Sequence, residues 1–178
     1  MDDRDAILAA LPSPGQKARP KIPQPPLPHF SVNELWEVFG QQLELLGGRI
    51  ATREDVEVIL ARPHLLDHEA AQILGLQPGG EPIWEAEVGV TTADLAIAET
   101  GSVVLATGPL RSRMISLSPA MHVVLVPKDR IVATLAEAFA RLSDRTTVLI
   151  TGPSRTADIE GVLVRGVHGP ADIVVVPI

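Results

Sequence analysis

Four short aliphatic runs constrain this chain most: Val103-Val104-Leu105, His122–Val126, Thr147–Ile150 and Ile173–Val176. Each is shorter than a buried helix and bounded by turn-forming residues, so each reads as a strand inside the protein. Amphipathic stretches lie between them. Lys128–Leu142 predicts a helix with Ile131, Leu135, Ala138 and Leu142 inward, and a further helix is expected from about Ala157. Strands alternating with helices indicate an α/β protein with an open, mostly parallel sheet.

The first half reads less evenly. Ser31-Val32-Asn33-Glu34 has the form of a capping box, with Leu35, Val38, Phe39, Leu43 and Leu46 following at helical spacing and Gly47-Gly48 as the stop. Arg49-Ile50-Ala51 is a connection or strand, and Thr52 with Asp55 opens a second helix that Pro63 ends. Leu65–Leu76 is helical or mixed, Trp84–Val90 predicts a strand, Thr91–Ala98 a connection and Gly108–Arg113 a loop. Residues 2–10 suit a short helix. Leu11–Pro28 contains seven prolines, which excludes helix and suggests an extended arm or linker. The expected organisation is an arm over residues 1–29 and one α/β domain over 30–178.

Composition narrows the function. With a net charge of -7, the chain lacks the basic face that nucleic acid demands. It contains no cysteine, which removes disulfides, thiol catalysis and thiolate-held clusters from this chain. The acidic start and the lack of a long apolar run argue for a cytoplasmic protein with no membrane partner. Neither a dinucleotide glycine fingerprint, nor a phosphate-binding P-loop, nor a nucleophile elbow occurs, so no cofactor is expected.

The chemistry-bearing candidates fall in three loops. Thr151–Glu160 leaves the end of one aliphatic run. Gly152, Ser154, Arg155, Thr156 and Asp158, with His168 further on, resemble an anion-binding kit of hydroxyls, amides and a forked cation. Self-capping of the next helix, with Arg155 paired to Asp158 or Glu160, is the competing explanation. Glu99-Thr100-Gly101 is a polar turn whose carboxylate, if partly desolvated, suits acid–base or nucleophilic work; a salt-bridged bend is the alternative. Arg111 and Arg113 add cations for a carboxylate or phosphate, and this set is expected to share one cleft, with Arg155 facing the Glu99 turn. His64 and His68 stand at metal-ligand spacing if helical, but a surface turn fits better and no metal is expected.

Ala93–Ser102, Thr151–Glu160 and Gly166–Pro170, with Pro119 and His122-Val123-Val124 between them, resemble the lactate-utilisation protein C family, whose members carry a LUD domain. The likeness runs from about Trp84 to the end of the chain. It implies a Rossmann-like sheet of the NagB/RpiA/CoA-transferase type. It further implies a non-redox subunit or accessory role in oxidising L-lactate to pyruvate, beside an iron–sulfur subunit and a cysteine-rich one. Some coenzyme A transferases of that fold use a glutamate in a Glu-x-Gly turn, which Glu99-Thr100-Gly101 resembles. A small-molecule enzyme or sensor of the same fold is the alternative, and a homo-oligomer is compatible with either.

Overall fold

The computed structural model describes Ala10 and residues 30–109, 111–142, 145–157 and 163–178. The expected helix over 2–10, Ala10 aside, and the proline-rich arm lie outside the described residues, as do Asp158 and Glu160.

The N-terminal elements form where their caps predict. Helix α1 (Val32–Leu45) starts with the Ser31–Glu34 capping box, in which the Ser31 amide donates to Glu34 Oε2 at 2.7 Å. Strand β1 (Arg49–Ile50) follows, then α2 (Arg53–Ile59), capped reciprocally by Thr52 and Asp55. Strand β2 (His64–Leu66) leads into α3 (His68–Leu74), whose first turn is capped by Asp67 and whose end is closed by Gly75 in the left-handed conformation.

The six-stranded sheet runs β1-β12-β7-β4-β2-β3, where β3 is Gly79–Gly80, β4 Val88–Thr92, β7 Met121–Val126 and β12 Asp172–Pro177. All its pairings are parallel except β2 with β3. The mostly parallel α/β sheet expected from the alternation of strands and helices, and Rossmann-like as the resemblance implies, is therefore present, but of the four aliphatic runs only His122–Val126 and Ile173–Val176 belong to it. A smaller sheet, β8-β5-β6-β9, is made of Ile131–Val132, Leu95–Ile97, Ser102–Ala106 and Thr147–Ile150.

Two-residue periodicity sorts the side chains into layers. On β7 and β12, Val124, Val126, Ile173 and Val175 meet Phe39 and Leu43 of α1 and Val103 and Leu105 of β6. Their neighbours Val123, Leu125, Val174 and Val176 face the other way, onto Val56 of α2 and Ala70 and Ala71 of α3. Helix α4 (Met114–Leu117) lies against β4, and α5 (Leu135–Arg141) covers the outer side of the small sheet through Ala138. Val123 to Val126 are fully buried, each contributing roughly 1.5–3 kcal/mol by area.

Four expectations are corrected. The helix over 128–142 is confined to α5: Arg130 closes a turn on the Pro127 carbonyl, and Ile131-Val132 pairs in parallel with Ala96-Ile97. Thr134, which accepts from the Glu137 amide at 3.2 Å, is the true helix start. The strand expected at Trp84–Val90 begins later and runs further, because residues 82–86 turn on the Pro82 carbonyl and leave Trp84 exposed. Leu95–Ile97, expected within a connection, is strand β5. The helix expected from about Ala157 does not start there: Ala157 ends β10 (Arg155–Ala157), which pairs antiparallel with β11 (Leu163–Arg165) in register Thr156↔Val164, and residues 158–162 lie outside the described residues.

Candidate functional site

Parallel strands end together at one edge of their sheet, and the residues just past those ends line the crevice where open α/β sheets take ligands. Here β2 ends at Leu66 and its neighbour β4 at Thr92, which brings Asp67 and Asp94 to the same edge. Asp67 is buried. Its Oδ1 accepts from the Ala70 amide at 2.6 Å, and its Oδ2 from the Thr92 amide at 3.0 Å. Asp94 Oδ2 accepts from the Ala106 amide at 2.7 Å.

Arg111 enters between them from the loop after β6. Its Nε donates to Asp67 Oδ2 at 3.1 Å, its Nη1 to Asp94 Oδ2, and its Nη2 to Glu69 Oε2 at 2.7 Å. Two more arginines close the network. Arg130 pairs with Glu69 at 2.9 Å and donates to the Ala93 carbonyl, while Arg145 reaches Asp94 at 3.4 Å. Burial pushes the Asp67 carboxyl up from its ordinary range; the Ala70 and Thr92 amides and the Arg111 guanidinium oppose that shift.

Beside this network opens a cleft of about 670 Å³. Its polar wall comprises His68, Glu69, Gln72, Arg111 and Arg145, and its apolar wall Leu76, Pro78, Ala106 and Pro109. The wall carries two guanidiniums against one carboxylate. Asp67 and Asp94 also accept from backbone amides, so an anion entering the cleft can replace part of their share of the arginines without leaving either carboxylate bare.

The other expected site residues gather at the opposite edge. Because α1 runs into β1, its C-terminal end lies at the amino edge of the sheet. Gly101, at φ 61°, presses so close that a Cβ there would stand 2.6 Å from the Leu43 amide nitrogen, and one on Gly152, at φ 79°, 2.8 Å from Leu46 Cβ. Arg155 donates to the Leu46 carbonyl, supplying the cation that the last turn of α1 lacks. Thr100, Ser102 and Thr151 are joined by hydroxyl hydrogen bonds of 2.8 and 2.7 Å. The two motifs thus converge, but on the end of α1.

Glu99 is exposed, not desolvated, and its Oε1 accepts from the Leu135 amide at the start of α5. Ser154 is held by its backbone, donating to the Pro170 carbonyl and accepting from the Gly166 amide. Thr156 lies within β10, and Arg113 and His168 are exposed. Among the described residues of the expected set, only Arg111 lines the cleft. His64 is on β2 and His68 begins α3, so they do not share a helical face; among the described residues no group of three potential ligands is arranged for a metal ion.

Gln72, Asp94, Arg130 and Arg145 were not singled out by sequence as site residues, and Asp67 and Glu69 drew notice only as neighbours of the His64–His68 pair. The usable signal was positional: Asp67 and Asp94 follow strands that end side by side.

Comparison with known proteins adds to this picture. Residues 81–178 match the LUD domain model. "Lactate utilization protein C" of Macrococcus caseolyticus is 44% identical over 94 residues, covering 48% of this chain and 41% of that protein. Its counterpart in Bacillus licheniformis is 39% identical over 95 residues, covering 48% and 40%. The matched stretch therefore spans about two-fifths of the length of these relatives. The crystal structure of a DUF162 family protein from Deinococcus radiodurans superposes with a TM-score of 0.65 at 22% identity, over 84% of this chain and 99% of that one, a likeness of fold.

Proposed function

The chain belongs to the LUD-domain family, and on that premise we propose that it is a non-redox component of a system oxidising L-lactate to pyruvate, binding an anionic ligand in the cleft at the carboxyl ends of β2 and β4. The observation that carries the ligand reading is the pair of guanidiniums, Arg111 and Arg145, on a wall with one carboxylate, in a chain whose net charge is -7. The relatives' name supports the lactate role. Because the chain has no cysteine, electron transfer through an iron–sulfur centre falls to separate subunits, one iron–sulfur and one cysteine-rich.

The system is tested by deleting the gene and growing the strain on L-lactate as sole carbon source. Growth should fail and return with the wild-type gene. A deletion strain that grows normally would remove the lactate role. Complementation with Arg145→Ala separates the cleft from the system: it should restore growth poorly, and full restoration would remove the cleft from the proposal.

A further inference from the structure

The size and lining of the cleft speak to what kind of anion it holds. Three-carbon hydroxy acids fill a small part of about 670 Å³, whereas clefts of several hundred Å³ are ordinary for ligands with a ring system. A site for a compact anion would also be polar throughout. This one is divided. Leu76 and Pro78, beyond the end of α3, with Ala106 at the end of β6 and Pro109 after it, supply apolar side-chain surface with no donor groups. The cations Arg111 and Arg145 stand together with Glu69.

Gln72 lines the same space, one helical turn from His68 on α3. A side-chain amide both donates and accepts, the combination that pairs with the edge of a nitrogen heterocycle, whereas a carboxylate or phosphate would use its donor half alone.

We infer that the cleft binds an organic phosphate of mononucleotide size, with its phosphate at Arg111 and Arg145 and its ring between the Leu76–Pro78 and Ala106–Pro109 walls. This rests on the reading that the cleft is the ligand site, and it makes the ligand larger than the three-carbon acids that the lactate role would suggest. A nucleotide-responsive component of a carbon-utilisation system is one that reads energy status, independent of whether this chain carries out a reaction.

The test is calorimetric titration of the full chain with four probes: adenosine monophosphate, inorganic phosphate, L-lactate and adenosine. Adenosine monophosphate should bind at least about tenfold tighter than each of the others. Arg145→Ala should weaken it by about tenfold, and Leu76→Ser should weaken it while leaving any inorganic phosphate binding unchanged, both variants being checked for an unaltered melting transition. If phosphate or lactate binds as tightly as the nucleotide, the inference is overturned and the anion reading stands. If adenosine binds as tightly, or Arg145→Ala changes nothing, the phosphate assignment is overturned. Absence of binding by all four overturns both the inference and the anion reading.

Discussion

The socket that holds the end of α1 and the cleft beside Arg111 lie at opposite edges of one parallel sheet, and they are built by opposite means. The socket is a backbone construction. Two glycines with positive φ let the Thr100–Ser102 and Thr151–Gly152 turns approach α1 more closely than any side chain would permit, and Arg155 caps the helix they enclose. The cleft is a side-chain construction, in which three guanidiniums and three carboxylates cross-pair next to open volume. A socket of this kind has one tolerable shape. Ion pairs at the rim of a cleft exchange partners when an anion arrives, because charge-assisted bonds to a ligand replace those within the network. Thr151–Thr156, part of the stretch that carries the family resemblance, therefore supports a helix outside the matched residues 81–178, while the proposed ligand cleft lies at the carboxyl edge.

The comparison is tested most severely by Arg111→Ala. It strands Asp67, which is 1% exposed, and should cost about 3–5 kcal/mol in urea unfolding; a loss under about 1 kcal/mol would mean that the network is not holding the carboxyl edge together. Gly101→Val comes next. A β-branched residue in the left-handed region, pressed on the Leu43 backbone, should cost about 2–4 kcal/mol. A variant as stable as the wild type would show that the socket yields.

His122 sharpens the comparison on the socket's side, since it begins the amino end of β7. It is fully buried, its Nε2 lies 2.8 Å from Thr91 Oγ1, and burial lowers its pKa from 6.5 to about 3. The folded imidazole stays neutral where the unfolded one takes up a proton. Stability should therefore fall as pH drops from about 6.5 toward 3, with a contribution approaching 1.4 kcal/mol per pH unit, and be constant above that window as far as this group is concerned. In His122→Gln that part of the acid slope should vanish; an unchanged slope assigns acid sensitivity to other groups. The smallest effect belongs to Arg155→Ala. An exposed helix-capping cation should be worth about 1 kcal/mol or less, and a loss equal to that of Arg111→Ala would erase the distinction between the two edges.

Much of the fold was legible because its signals are local. Capping boxes at Ser31 and Thr52 and the aliphatic runs of β7 and β12 need no distant partner to be recognised. The errors came where a distant partner decides. Ile131-Val132 has helical spacing, yet β5 draws it into a sheet, and Arg155–Ala157 pairs with Leu163–Arg165. The cleft was nearly invisible for the same reason. Asp67 lies in a stretch that reads as helical or mixed and Asp94 in a connection, until the order of β2 and β4 makes them neighbours. Arg111 was recognised as a cation, but the three carboxylates that surround it arrive from residues 67, 69 and 94.

The position of β12 sets a timetable for making the protein. It lies between β1 and β7, and among the described residues β1 has no other neighbour in the sheet. A ribosome delivers Arg49-Ile50 long before Asp172–Pro177, so β1 waits unpaired while more than half the chain is synthesised. Closure of the sheet is thus a late, all-or-nothing step, and a nascent chain stalled short of Asp172 presents the apolar faces of β7 and α1 to whatever chaperones attend it.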